Sequence, residues 1–158
     1  MVNETLAAVV MSFMASDIPP TEQECLALNV YHEARNQSTL GQLAVALVTM
    51  NRVEDPRYPS NICSVVKQRG FKDALDAPIV IGRCQWSWFC DGKSDEPTDE
   101  LAYDTAMRNA AYAYHMYSMD YDVTEGSTHY HSRDVEPNWI DDMIHVVDID
   151  DHIFYRWE

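Results

Sequence analysis

The chain has 158 residues, 46% of them apolar, which suits one domain with a full core and excludes a disordered tail. Its formal charge of −15 leaves too few Lys and Arg to hold nucleic-acid phosphates, and it does not favour an anionic membrane surface. Such a surface is soluble, and salt or divalent cations would relieve its self-repulsion.

The apolar stretch Leu6 to Ala15 is far too short to span a bilayer and lacks the basic start of a signal peptide. It reads as an N-terminal helical extension, with a cryptic export signal as the minority view. Pro19-Pro20 ends it. Thr21 and Glu24 have the spacing of a capping box for a helix over Glu22 to Arg35. Asn36-Gln37 is a turn, and Ser38 or Thr39 caps the next helix. There Leu40, Leu43, Ala44, Leu47 and Val48 form a core-facing stripe, while Gln42, Thr49 and Arg52 lie on another side and could line a groove. Pro56 and Pro59 stop that helix, and Ser60 is a candidate cap for a short one through Val66.

From Gln68 to Pro97 helical periodicity is lost. Ile79-Val80-Ile81 and Gln85 to Phe89 look extended, with turns at Gly82 and Asp91-Gly92. Pro97-Thr98 opens a long helix with Asp99 and Glu100 in its first turn and Ala102, Ala106, Ala113 and Tyr117 on its close-packed side. After Gly126 come strands at Ser127–Ser132, Ile144–Ile149 and His152–Trp157, the last two around an Asp150-Asp151 turn. With no repeat and no linker, residues 1–158 read as one α+β domain, residues 1–20 being an extension.

Glu33 is the residue that does not fit its surroundings. Its helix is apolar nearly all round (Cys25, Leu26, Ala27, Leu28, Val30, Tyr31, Ala34), and such a helix is buried. Three, four and seven residues before Glu33 stand Val30, Asn29 and Leu26. The last turn of a helix is also the negative end of its dipole. Desolvation and dipole together push a carboxyl towards its neutral form, as a glycosidase general acid requires. The competing reading is a structural glutamate paired with Arg35 or Arg52, so a raised pKa requires both arginines to point away.

Other constellations are less specific. In Cys84 to Gly92, alternation puts Gln85, Ser87 and Phe89 on one side and Trp86 and Trp88 on the other, which suits a sugar subsite or a half-buried strand. His129 and His131 have the spacing of metal ligands on a strand, yet no third ligand stands at tight spacing. They are better read as hydrogen-bonding groups, so no metal and no cofactor is expected. Among four cysteines, Cys25 is most simply a free core thiol, while Cys63, Cys84 and Cys90 sit where disulfides would suit an oxidising compartment. No Cys-x-x-Cys pair favours zinc. The acidic runs Asp141-Asp142 and Asp148 to Asp151 lack the spacing of a calcium loop and read as a solvated face.

Taken in order, these residues resemble the SleB/CwlJ family of cell-wall hydrolases over about Leu26 to Arg156. The matching pieces are Tyr31-His32-Glu33-Ala34-Arg35, Gly41 to Ala46 leading to Asn51-Arg52-Val53, Gln85-Trp86-Ser87-Trp88, and Thr128-His129-Tyr130-His131. Pro137-x-Trp139 and His152 to Tyr155 complete them. Two departures stand out: Gln37 occupies the position of a common second acid, and Trp86 that of a common Phe, which should preserve packing.

The resemblance implies a compact lysozyme-like fold, mainly helical with a small antiparallel sheet. It implies a peptidoglycan lytic transglycosylase that cuts the β-1,4 bond between N-acetylmuramic acid and N-acetylglucosamine. Glu33 would be the single catalytic acid, a scheme that the amide at Gln37 fits. Gln42, Arg52, Gln85, Ser87, Thr128, His129, Tyr130, Trp139 and Tyr155 are the expected substrate contacts. A hydrolytic muramidase on the same site and a zinc amidase are the alternatives. The expected partner is the glycan strand, with no nucleic acid, no membrane insertion and a monomeric state. The protein would act in the periplasm or outside the cell, or stay cytoplasmic until released by phage lysis.

Overall fold

The computed structural model describes residues 18–69 and 84–158. The helix predicted at Leu6–Ala15, the strand at Ile79–Ile81 and the turn at Gly82 lie outside them.

Helix α1 spans Pro20–Ala34, with Pro19 at its N-cap and Pro20 at the first helical position, where a missing N–H costs nothing. The predicted capping box does not form, because the helix begins before Thr21. Instead Glu22 accepts a hydrogen bond from the backbone N–H of Cys63 at 2.9 Å. Cys25, Leu26, Ala27, Asn29, Val30, Tyr31 and Ala34 are all buried, as the unbroken apolar surface requires.

Helix α2 spans Thr39–Glu54 and is capped by Ser38, whose hydroxyl accepts from the Gly41 N–H at 3.2 Å. Its burial runs nearly all round. Leu40 of the predicted stripe is exposed, whereas Gln42, Thr49, Asn51 and Arg52 are inside. Helix α3 is the short segment Ile62–Val66, capped by Asn61 and not by Ser60. Helix α4, Glu100–Ser118, starts at the Asp99 cap and lies against both α1 and α2. Its side chains of small volume at Ala106, Ala110 and Ala113 are buried and permit that close approach.

Cys25 is not a free thiol. It forms a disulfide with Cys63, 38 residues away, fastening α1 to α3. Cys84 pairs with Cys90. Spacing along the chain could not show the first bridge, because it closes only when α1 and α3 pack side by side.

The predicted extended run Gln85 to Phe89 is also corrected: Ser87–Cys90 is a turn of 3₁₀ helix. The alternation was real, since Trp86 and Trp88 are buried and Gln85 and Ser87 exposed. A bend followed by a tight turn sorts side chains in much the same way as a short strand.

The sheet has strands β1 (His129–Ser132), β2 (Ile144–Ile149) and β3 (His152–Arg156) in the order β1-β3-β2, all antiparallel. Asp150, with φ of 51°, makes the reversal between β2 and β3. A second, smaller core joins sheet to helices through Ala44 and Val48 of α2 and Ile149 and Phe154. That contact brings β1 alongside the C-terminal ends of α1 and α2. The result is the predicted α+β arrangement, mainly helical with one small antiparallel sheet.

Candidate active site

Glu33 lies in the last turn of α1, at the wall of a cleft of about 350 Å³. Arg52 of α2, Gln85, Trp86 and Ser87 of the bend, His129 and Tyr130 of β1, and Trp139 share that cleft. The Tyr130 hydroxyl donates to Glu33 Oε2 at 2.7 Å. Desolvation raises the Glu33 pKa above the ordinary carboxyl range, and this outweighs the opposing pull of the Tyr130 hydrogen bond and the Arg52 charge.

The two arginines behave differently from each other. Arg35 turns away, donating to the Tyr31 carbonyl at 3.2 Å and lying over that ring. Arg52 stays close enough to act on Glu33 electrostatically, contrary to the requirement that it point away. It forms no ion pair with Glu33 among the described residues. Its Nε donates to the Thr128 carbonyl at 2.8 Å, and its guanidinium packs on Trp86 (4.6 Å) and Tyr58 (5.1 Å). Burial therefore wins over one arginine charge held at a distance.

With this geometry in hand, comparison with known proteins is decisive. Residues 36–155 match the family model described as Cell Wall Hydrolase, a match that starts just after Glu33 and covers most of the chain. The chain belongs to the Cell Wall Hydrolase family. It is 42% identical over 43 residues to a spore cortex-lytic enzyme of Halalkalibacterium halodurans, an alignment spanning 27% of this chain and 13% of that relative. Its fold is similar to the SleB catalytic domain of Bacillus cereus (TM-score 0.57, 26% identity, 89% of this chain and 97% of that one). It is likewise similar to the catalytic domain of Bacillus anthracis SleB, described as a germination-specific lytic transglycosylase (TM-score 0.60, 24% identity, 89% and 98%). The SleB/CwlJ resemblance read from the motifs therefore holds.

Seen as a family member, the chain uses its ordered motifs in distinct ways. Asn51 and Arg52 hold the approach to β1: Asn51 Nδ2 donates to Asp122, Thr124 and the Ser127 carbonyl, and Arg52 to Thr128. His129 faces the cleft, its Nδ1 2.9 Å from the Thr128 hydroxyl. Desolvation first, and then Arg52, push its pKa down to about 4, so near neutrality it is an uncharged hydrogen-bonding group and not a rival acid. His131 makes an edge contact with the same Trp139 ring as His129, as a His-x-His pair on a strand should. Both of its ring nitrogens are engaged, one by the Ser132 carbonyl and one by the Tyr155 hydroxyl.

Three of the expected contacts are not in the cleft. Gln42 is buried between α2 and α4, where its oxygen accepts from Asn109 Nδ2 at 2.8 Å. Thr128 is buried and acts through Arg52 and His129. Tyr155 is buried behind Trp139 and holds His131. Thr49, read as another groove residue, is fully buried against Asn29. Gln42, Thr49 and Tyr155 each meet a polar partner far away in sequence, and Thr128 turns its hydroxyl to the adjacent His129, so facing direction alone misled.

Sequence reasoning also missed a contact. The buried Trp86 indole donates to the Tyr130 hydroxyl at 2.9 Å, joining the bend to Glu33. A buried indole N–H needs an acceptor, and that requirement was the available signal. A larger cavity of about 630 Å³ lies between the ends of α2 and α4, with Glu54, Tyr117, Asp120 and Asp122 in its lining. Its Asp122 carboxylate is occupied by Asn51, Thr124 and Gly126.

Proposed function

We propose that the chain is a single catalytic domain that cleaves peptidoglycan glycan strands as a lytic transglycosylase, acting at the cell wall. The observation that carries this reading is the solitary carboxyl: among the described residues lining the cleft, Glu33 is the one acid. Hydrolases that retain or invert use two carboxyl groups, whereas an intramolecular closure needs one. Gln37, at the place of the common second acid, lies outside this cleft. It faces the turn after β2, where its side chain bonds Asp151.

Glu33 in its neutral form gives its proton to the glycosidic oxygen as the bond to C1 of the muramic sugar breaks. The resulting carboxylate then takes the proton of the C6 hydroxyl while that oxygen closes on C1, leaving a 1,6-anhydro end. The environment suits both halves. Burial favours the protonated form of Glu33 at the start, and the Tyr130 hydrogen bond with the nearby Arg52 charge stabilises the carboxylate formed midway. Arg52, Gln85, Ser87, His129, Tyr130 and Trp139 are the proposed glycan contacts, Trp139 offering a ring face to a sugar.

The test is digestion of purified sacculi by wild type and Glu33→Gln, with mass analysis of the released muropeptides. Anhydro ends, lighter than reducing ends by one water, are expected from wild type alone. Reducing ends would assign a hydrolytic muramidase to the same site. Free stem peptides lost on adding a chelator would assign a zinc amidase. Equal turnover by the two proteins would overturn the role of Glu33.

A further inference from the structure

A carboxyl that delivers a proton must hold it on the correct oxygen. Tyr130 engages Glu33 at Oε2 only. A phenol owns one proton, so its hydroxyl could either donate to that oxygen or, turned about, accept from it. Trp86 removes the choice. An indole nitrogen is a donor without a lone pair, and it lies 2.9 Å from the Tyr130 oxygen. That oxygen accepts from Trp86, and the phenolic proton is directed at Glu33 Oε2, 2.7 Å away. Were Oε2 protonated and donating, the phenolic proton would be left without either partner, at the cost of a buried hydrogen bond.

We propose that Trp86 is a positioning residue that fixes the direction of the Tyr130–Glu33 hydrogen bond and thereby confines the acid proton to Oε1. The proposal rests on Glu33 being the acid of the reaction described above. In that reaction the proton leaves from Oε1, and the C6 proton returns to the same oxygen, while Oε2 remains an acceptor throughout. Donation from Trp86 also strengthens Tyr130 as a donor, because hydrogen bonds in a chain polarise one another.

The other groups facing Glu33 do not supply this direction. Arg52 from α2 and His129 from β1 share the cleft, and Arg35 on α1 itself is turned to Tyr31. Trp86 has a second role that must be kept apart: its ring face covers the Arg52 guanidinium. Trp86→Phe keeps a ring there and removes the N–H.

The experiment is a carbon-13 titration of side-chain carboxyls, with the Glu33 signal assigned by its loss in Glu33→Gln. In Trp86→Phe the Glu33 midpoint should move up, because the carboxylate loses a strengthened donor and the neutral acid gains the option of donating to Tyr130. Tyr130→Phe should move it further. Trp86→Phe placed on Tyr130→Phe should add nothing, since the middle link is already gone. An unmoved or lowered midpoint in Trp86→Phe, or a full additional shift in the double variant, overturns the proposal.

Should Trp86→Phe not fold, the infrared carbonyl stretch of protonated Glu33 in wild type decides the matter. A hydrogen-bonded carbonyl, at lowered frequency, is expected, and a free one overturns it. Neither readout requires turnover, so a failure here is distinguishable from sacculi that stay intact. Where turnover is present, Trp86→Phe should lower kcat on the acidic plateau by about threefold to tenfold with KM little changed.

Discussion

Besides the small apolar core, two polar seams among the described residues join the helical layer to the sheet, and they are built on opposite principles. At the first, Glu33 and Arg52 meet β1. Its groups are at odds with their surroundings: an acid whose pKa is raised by burial, a histidine held uncharged beside it, and a buried guanidinium with Nη1 unpartnered. At the second, the turn after α1 meets the turn between β2 and β3. Exposed carboxylates there are well partnered: Asp150 accepts from both the N–H and the hydroxyl of Ser38, and Asp151 exchanges bonds with Gln37. Ionisable groups held against their preference mark chemistry, and groups given what they prefer mark assembly. The two seams should therefore fail in different ways when mutated.

The largest divergence should come from Glu33→Gln. Loss of the general acid is expected to lower turnover of sacculi by about 10²–10⁴-fold. Stability should move the other way. The folded pKa of Glu33 lies above its unfolded value, so the native state binds more protons in that window and loses stability as pH rises through it. Above the window Glu33→Gln should melt higher than wild type, and the two melting curves should converge below about pH 4.5, the ordinary value for this group. Thermal melts across pH check this, and a destabilised variant at neutral pH would make Glu33 a structural residue.

Gly41→Ala strikes the assembly seam. A Cβ on Gly41 would stand 2.5 Å from Asp150 Oδ2 and 2.9 Å from Gln37 Cβ. The carboxylate would have to leave Ser38, and crowding would exceed the gain in helix propensity. We expect a net loss of about 1 kcal/mol in denaturant unfolding. The pH profile of activity should keep its shape, and a shifted profile would show that the seams are coupled.

Much of this contrast was readable before the fold was known, and where it was not the reason is physical. Glu33, the Ser38 cap and the Asp150-Asp151 turn are local: the residues that explain them stand within a turn or two. Gln42 and Cys25 are not local. A glutamine on a helix reads as groove-lining until Asn109, on another helix, is placed against it. A cysteine in an apolar helix reads as inert until α3 presents Cys63. The indole of Trp86 shows a third kind of gap: packing is well predicted from ring size, but hydrogen-bond direction requires knowing which oxygen faces the nitrogen.

His129 sharpens the comparison through pH alone. Its folded pKa, about 4, lies below the ordinary 6.5, so the unfolded chain binds more protons between those values. Its contribution to stability is thus fully present above pH 6.5 and is lost as pH falls towards 4. His152, lowered for the same first reason of burial, acts in the same direction. His129→Asn should flatten the acid limb of the melting curve without removing it. An unchanged limb would mean that the cleft does not resist charging of this ring.

The smallest effect should come from Gln37→Glu, which restores an acid at the position where the family commonly carries one. The new carboxylate would face Asp151 and lose the amide donor that now reaches it at 3.1 Å. Because both groups lie near solvent, the penalty should be below about 1 kcal/mol and should shrink with added salt. The more telling readout is the product. A carboxylate on the assembly seam cannot assist a reaction in the cleft, so the muropeptide ends should remain those of the wild type. A switch from anhydro to reducing ends would show that this position reaches the substrate, and the separation of the two seams would fail at the point where it is most exposed.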